Sequence, residues 1–161
     1  TLWHTLSLHD ALPIYFSAMI KLFHIEEGSD AVESIILNQE NQIWVLELIR
    51  LELFSAICRR YREGEISKND FANVIHDFEE QLENFNIEPM GSLVLKEAEQ
   101  LMKEHGQNHG LRSLDALHLG AFQLFSGENG IFVCADKKLC EIAIKCGIKV
   151  VDPASDRKSV V

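Results

Sequence analysis

Short runs rich in β-branched and aromatic residues alternate with longer amphipathic stretches along most of this chain, and this alternation limits its fold more than any other feature. Apolar residues with helical spacing predict helices over residues 29–38, 48–64, 67–85, 92–106, 113–125 and 137–147. The runs between them predict strands over residues 42–46, 85–90, 130–136 and 148–153. Such alternation favours a central parallel sheet, here of about four to five short strands, with helices on both faces.

The residues at the segment boundaries support these helices. Ser67 and Asp70 have the spacing of a capping box, in which each side chain bonds the other residue's backbone. Ser29, Ser113 and Asp136 stand where a helix N-cap is expected. Glycine often closes a helix, and the predicted ends are marked by Gly64, Gly106 and Gly147.

The size and composition of the chain fit one globular domain. Its 161 residues are enough for one domain with a substantial core, and 47% of them are hydrophobic. No apolar run is long enough to cross a bilayer, and no secretory signal pattern is visible. We therefore expect a cytoplasmic protein without a membrane segment.

The formal net charge of −10 argues against loose binding of nucleic acid by a general basic surface. It does not exclude a nuclease, because an acidic pocket that holds a divalent metal can meet phosphate through that metal. A basic partner is also compatible with this charge. Three arginines form a basic helix edge that fits RNA, an acidic partner or, more simply, a solvated face: Arg59, Arg60 and Arg62.

The cysteines and histidines give little support for a structural metal site. Buried reduced thiols are favoured over a zinc site or a disulfide framework, because no CxxC pair is formed by Cys58, Cys134, Cys140 and Cys146. His105 and His109 have an HxxxH spacing, but they lie in the glycine-bearing stretch KEHGQNHG, predicted as a loop. We therefore expect no helix to hold both on one face, and a metal role for this pair is not favoured.

Acidic residues near the carboxyl ends of strands are candidate site residues, because ligands bind beyond those ends in parallel sheets. Asp136 ends the predicted strand IFVCAD, and Asp115 lies in the first turn of a predicted helix. Each also has a simpler interpretation, as a helix cap or as a charge that favours the helix dipole. Glu52 interrupts an apolar segment and needs a partner or a metal. A solvated stripe explains it about as well, shared with Glu47, Arg59 or Arg62.

Residues 15 to about 153 resemble a PIN domain of the VapC-like toxin type. The matching pieces are SAMIKLFHIEEGS, LIRLELFSAICRRYREGEIS, HGLRSLDALHLG and IFVCADKKLCEIAIKCGIKVV, and LRSLDALHLG is the most specific. The resemblance implies a PIN-like α/β fold with four acids around one or two Mg²⁺ or Mn²⁺ ions. It implies metal-dependent cleavage of RNA phosphodiester bonds. It also implies a toxin that pairs with itself as a homodimer and is blocked by a small antitoxin.

By position, the resemblance makes Glu52, Asp115 and Asp136 the second, third and fourth acids, and hence the catalytic metal ligands. The first aspartate is expected two residues before Ser17, where this chain has Tyr15. A smaller departure is a cysteine two residues before the fourth acid, where the family often has threonine or serine. Acids and metal depend on each other, since Mg²⁺ prefers hard oxygen ligands and grouped carboxylates repel without it.

Three other polar residues are weaker candidates for the site. Ser17 could cap the first helix or touch RNA, and capping is the simpler interpretation. Arg112 precedes the third acid and could contact phosphate, although a solvent-facing arginine is commoner. His118 lies one turn after Asp115 and is predicted to be a packed or hydrogen-bonded core histidine rather than a catalytic one.

The two ends of the chain resemble translated sequencing-adapter sequence. TLSLHDALPI, over residues 5–14, matches one adapter, and DRKSVV, over residues 156–161, matches the adapter at the other end of a fragment. We therefore expect a domain over residues 15–155 with a truncated first strand, between non-native segments at 1–14 and 156–161. Tyrosine and aspartate codons differ only in their first base, so a junction inside an aspartate codon explains Tyr15.

Three functions remain open on the sequence. The favoured one is a metal-dependent endoribonuclease toxin, truncated and impaired in this chain at the first acidic position. The second is a PIN nuclease for RNA maturation without an antitoxin. The third is a catalytically silent PIN-like binding module in which Tyr15 is native. No motif specifies the RNA target, because that specificity depends on the shape of the pocket.

Overall fold

The computed structural model describes residues 12–16 and 29–154, with the backbone alone for residues 12–14, 16 and 29. The described residues form five strands, which are separated by one or two helices each, and six helices in all. They are β1 (Leu12–Phe16), α1 (Ser29–Leu37), β2 (Asn41–Leu46), α2 (Ile49–Arg62), α3 (Lys68–Leu82), β3 (Asn86–Glu88), α4 (Ser92–His109), α5 (Ser113–Phe125), β4 (Ile131–Val133), α6 (Lys137–Lys145) and β5 (Lys149–Val151).

The strands form one parallel sheet, as predicted. Their order in the sheet is β3–β2–β1–β4–β5. β1 is the middle strand, and Tyr15 lies between Trp44 of β2 and Phe132 of β4. Because all the strands run in the same direction, their carboxyl ends meet at one edge of the sheet. Side chains that follow different strands therefore converge at that edge.

Two hydrophobic cores lie on opposite faces of the sheet. Helices α1, α2 and α3 contribute to one core, which includes Leu53. Helices α4, α5 and α6 contribute to the other, which includes Leu119. Neighbouring residues of a strand point to opposite faces, so Phe132 of β4 belongs to the second core and Val133 to the first. This confirms the prediction of helices on both faces.

Helices α4 and α5 approach each other closely at Gly120. A Cβ atom on Gly120 would lie 3.1 Å from the backbone nitrogen of Ala98 and 3.4 Å from the carbonyl oxygen of Val94. Both of these atoms belong to the backbone of α4, so no side-chain rotation can make room. Helix packing therefore explains the glycine at the end of the motif LRSLDALHLG.

The end of α4 differs from the prediction. The helix continues to His109, so Gly106 lies inside it rather than past its end. Glycine costs about 1 kcal/mol relative to alanine inside a helix, but packing of the last turn against α6, where His105 meets Cys146, favours its continuation. Gly110, with a φ of 67°, ends the helix instead. The prediction that KEHGQNHG is a loop was therefore wrong.

The predicted helix N-caps were partly right. Ser67 and Asp70 form the predicted capping box at the start of α3. Asp136 caps α6 through its side chain. At α5, however, Arg112 and not Ser113 holds the N-cap position, and no side chain bonds the free backbone amides. Ser113 is already helical, so its hydroxyl is not placed to act as the predicted cap.

The expectation of buried, free thiols holds for two of the four cysteines. None of the four cysteines is in a disulfide, and Cys134 and Cys140 are buried while Cys58 and Cys146 are half-buried. Over residues 12–16 and 29–154, no helix is both long enough and apolar enough to span a membrane.

Candidate functional site

The three predicted acids lie on elements that meet at the carboxyl edge of the sheet. Asp136 follows β4 directly, and Glu52 lies in the first turn of α2, which follows β2. Asp115 lies in the first turn of α5. Because α5 leads into the amino end of β4, its own first turn lies towards the carboxyl edge. The topology therefore brings three segments that are distant in sequence to one side of the sheet.

One arginine joins two of these acids. Arg112 Nε lies 2.7 Å from Oδ2 of Asp115, and its Nη2 lies 2.8 Å from Oδ2 of Asp136. The hydrogen bond and charge of Asp115, and more weakly those of Asp136, raise the pKa of the Arg112 guanidinium. The Arg112 side chain is 68% exposed. It therefore differs from a simple solvent-facing arginine, because its charge is directed at the acids of the site.

Asp136 has two partners at once. Its Oδ1 accepts a hydrogen bond of 3.1 Å from the backbone N–H of Leu139, which confirms the predicted helix cap. Its Oδ2 faces Arg112. A carboxylate can accept on both oxygens, so the cap and a place in the site are compatible.

Glu52 bonds a partner that was not predicted from the sequence. Its Oε2 lies 2.6 Å from Nε2 of His118, and the two side chains are 16% and 2% exposed. The interpretation of Glu52 as part of a solvated stripe with Glu47, Arg59 or Arg62 was therefore wrong, because the Glu52 side chain is only 16% exposed and bonds His118 of α5. The prediction that His118 is a hydrogen-bonded core histidine is confirmed.

Tyr15 is buried beneath the acids and surrounded by aromatic rings. Its side chain is 2% exposed. Its ring stacks on Phe132 at 5.9 Å and meets His118 and Phe122 edge-on at 6.3 and 6.0 Å. Burial, and then the negative charges of Glu52 and a second glutamate, raise the pKa of the phenol well above its usual value. Tyr15 is therefore a neutral core residue.

Three buried polar atoms around Tyr15 lack a partner with hydrogen-bonding geometry. Among the described residues these atoms are Tyr15 Oη, Trp44 Nε1 and His118 Nδ1. An interaction with the backbone of Leu46 lowers the pKa of the phenol, but by less than burial and the two glutamates raise it. Buried polar groups are normally paired, and each unpaired one costs about 1–3 kcal/mol. The polar surroundings of position 15 are therefore poorly matched to tyrosine.

In this structure the acids are paired with other protein side chains and are not grouped around a position for a divalent metal ion. Carboxylates are the chemical class that Mg²⁺ or Mn²⁺ prefers. Within the part of the chain that the structure describes, however, no three His, Cys, Asp or Glu side chains are arranged to hold a metal. Both aspartates are turned to Arg112, Glu52 is turned to His118, and position 15 has no carboxylate. Three of the four expected acids are therefore present, and each of them bonds an arginine or a histidine of the protein.

Glu88 is a fourth acid near this site that was not predicted. It ends β3 and lines a small cleft together with Tyr15, Trp44, Phe125 and Ser126. Partial burial raises the pKa of its carboxyl group. An acid at the end of a predicted strand, in NIEPM, was the sequence signal that could have identified it.

Ser17 and the three arginines of α2 are not seen to take part in this site within the described part of the chain. Ser17 lies outside the described residues. Arg59 and Arg62 are exposed on α2, and Arg60 bonds Glu65 at 2.9 Å. This basic edge therefore has the features of a solvated face.

The family model described as PIN domain matches residues 17–145, which is most of the chain. None of the curated proteins is similar enough in sequence to match.

Solved structures share the fold at low sequence identity. FitAcB from Neisseria gonorrhoeae matches with a TM-score of 0.63 and 18% identity, over 89% of this chain and 99% of that chain. VapBC2 from Rickettsia felis, bound to a DNA fragment from its promoter, matches with a TM-score of 0.58 and 16% identity, over 88% and 98%. A toxin–antitoxin complex from Klebsiella pneumoniae matches with a TM-score of 0.56 and 17% identity, over 89% and 98%.

Proposed function

The chain belongs to the PIN domain family, and from this premise we propose that it derives from a metal-dependent endoribonuclease, the toxin of a toxin–antitoxin pair. Its reaction is the cleavage of RNA phosphodiester bonds with Mg²⁺ or Mn²⁺. Glu52, Asp115 and Asp136 are the proposed catalytic metal ligands. Ser17 and Arg112 are proposed RNA contacts.

The single observation that carries this proposal is that Arg112 bonds both Asp115 and Asp136. Asp115 and Asp136 are separated in sequence, yet both carboxylates bond the same guanidinium at 2.7 and 2.8 Å. Two carboxylates this close together create a negative potential at the carboxyl edge of the parallel sheet. Folds of this kind bind their ligands at that edge. A cation other than arginine can use the same carboxylates if Arg112 turns outward, and its exposed side chain allows that movement.

The proposed partners follow from the structural neighbours. One is described as a toxin–antitoxin complex, and another as VapBC2 bound to a promoter fragment. We propose by analogy that this protein pairs with a small antitoxin that covers the acidic site, and that it forms a homodimer in the cytoplasm. Function is carried by sites rather than by the fold, so the proposed partner needs its own test. Co-expression with the product of an adjacent small reading frame, followed by co-purification, provides it.

We propose that this chain is impaired at position 15. Tyr15 stands where the resemblance calls for the first aspartate, and its buried hydroxyl has no partner with hydrogen-bonding geometry. The adapter-like segments suggest that residues 1–14 and 156–161 are not native, that the domain spans residues 15–155, and that Tyr15 arose from an aspartate codon. The direct check is an overlapping, trimmed DNA read. Any codon other than aspartate at this position would reject the explanation.

The functional experiment compares the chain with its Tyr15→Asp variant. We expect the variant to cleave a mixed RNA substrate with Mg²⁺ or Mn²⁺, and to lose that activity with a chelator. The matched control is the double variant Tyr15→Asp/Asp115→Asn, which keeps the restored acid but removes the charge of another. If Tyr15→Asp neither binds a divalent ion nor cleaves any RNA, the enzyme proposal fails.

A catalytically silent binding module is the alternative that one observation favours. Tyr15 is well packed, with three aromatic neighbours within 6.3 Å. If an independent DNA read encodes tyrosine at this position, the packing of the Tyr15 ring is a native feature. The silent binding module is then the better proposal.

A further inference from the structure

His105 and His109 lie on one face of the last turns of α4, outside the acidic site. Their ring centroids are 5.3 Å apart, and their Nδ1 atoms are 3.3 Å apart. Residues four apart are neighbours on a helix surface, so this arrangement follows from the continuation of α4 to His109. Both residues are partly exposed, which leaves the pair accessible to small ions.

The distance between the two nitrogens matches the separation of two ligands on one ion. Nitrogens that each lie about 2.0–2.1 Å from a tetrahedral Zn²⁺ are about 3.3–3.4 Å apart. Without an ion, two facing Nδ1 lone pairs repel, so one of the rings must carry a hydrogen on Nδ1. With an ion, both Nδ1 lone pairs are used and the spacing needs no change.

A neighbouring thiol can orient His105 for this role. Cys146, which follows α6, places its Sγ 3.4 Å from Nε2 of His105. If Nε2 carries the hydrogen and points to this sulfur, Nδ1 is left with its lone pair facing His109. Histidines that bind metals usually donate their other N–H to an acceptor, most often a carboxylate, a backbone carbonyl or water, and this bond fixes the ring and its tautomer. The thiol is then a positioning residue and not a ligand.

We propose that His105 and His109 form a two-histidine chelating site for a borderline divalent cation such as Zn²⁺ or Ni²⁺. Imidazole suits these ions, whereas Mg²⁺ prefers oxygen. The two protein ligands leave the remaining coordination positions to water or to a group on another molecule. The two histidines belong to α4 and are not among the proposed acids, and the chelating site does not depend on the proposed nuclease function.

The test is calorimetric titration of the full reduced chain with Ni²⁺ and, separately, Zn²⁺. We expect binding that depends on the histidine pair, and His109→Ala should weaken it by at least about tenfold, the lower end of the loss caused by removing even an outer partner of a metal ligand. The control is His76→Ala. His76 is also a helical histidine with a partner four residues on, but that partner is Glu80, and the side chain is 72% exposed. This variant should bind as the unmodified chain does.

Two further variants keep the proposal falsifiable. Cys146→Ser retains an acceptor for His105 Nε2–H and should bind within about threefold of the unmodified chain, because the thiol is not a ligand. Glu79→Gln, at a partly exposed position of α3 on the other face of the sheet, should leave Ni²⁺ binding unchanged. Circular dichroism confirms folding of each variant. Equal binding by His109→Ala and the unmodified chain, or abolition of binding by Cys146→Ser, overturns the proposed chelate.

Discussion

His118 Nε2 lies 2.6 Å from Oε2 of Glu52, and this contact joins α5, which carries Asp115, to α2. His118 is 2% exposed and Glu52 is 16% exposed at the side chain. A hydrogen bond this short in a buried place orients the carboxylate of Glu52. The relative position of two proposed site residues therefore depends on a histidine in the core.

Replacement of His118 by alanine should destabilise the protein by roughly 2–4 kcal/mol, because it leaves a cavity and a buried carboxylate without its partner. Urea denaturation followed by circular dichroism measures this loss. His76→Ala, at an exposed position of α3, is the matched control and should change stability by less than about 0.5 kcal/mol. Equal effects of the two substitutions would contradict the structural role of His118.

Tyr15→Phe should stabilise the protein by about 1 kcal/mol. The substitution keeps the aromatic stack with Phe132 and removes a buried hydroxyl that has no partner with hydrogen-bonding geometry. Tyr61→Phe is the control, because Tyr61 is 47% exposed and also packs against a phenylalanine. Chemical denaturation of both variants gives the comparison. A loss of stability in Tyr15→Phe alone would show that the phenol is hydrogen-bonded, for example to a buried water.

Arg112→Gln should strengthen the binding of Mn²⁺ to the Tyr15→Asp variant by roughly fivefold, since two exposed ion pairs of about 0.5 kcal/mol each no longer compete with the metal. Calorimetric titration measures the change. Arg50→Gln is the control, because Arg50 pairs with Glu79 on the surface. If Arg112→Gln binds Mn²⁺ no better than Arg50→Gln does, Arg112 is not a competitor for the site. Weaker binding in Arg112→Gln alone would mean that the arginine helps to position the acids.

Glu88 should make stability fall as the pH rises through its titration. Burial raises the pKa of its carboxyl group in the folded protein above the usual 4.5. The folded state therefore binds this proton more tightly than the unfolded state does, and the resulting stability is present below pH 4.5 and lost above the folded pKa.

Glu88→Gln mimics the protonated form and tests this sign. It should match the unmodified chain at about pH 4 and be the more stable of the two at pH 7, as measured by denaturation across this range. Glu83→Gln, at an exposed position after α3, is the control. A stability difference that does not change with pH would argue against burial of Glu88 as its cause.

The local sequence determined much of the secondary structure and the fold class of this protein. Helical periodicity and strand composition predicted the parallel α/β architecture, because amphipathic helices and apolar strands must bury matching faces against one sheet. Capping chemistry predicted the capping box at Ser67 and Asp70 and the cap at Asp136, because these bonds form within three residues of sequence. The motif LRSLDALHLG carried the resemblance to the PIN domain family, which the match over residues 17–145 bears out.

Contacts between distant residues were decided only by the tertiary structure. His118 lies 66 positions from Glu52, and Arg112 lies 24 from Asp136, and no local pattern pairs such residues. Packing of α4 against α6 also overrode the helix-ending signal of Gly106 and placed His105 beside His109. Periodicity and capping depend on neighbours along the chain, whereas side-chain partners in a site depend on which elements the fold brings together.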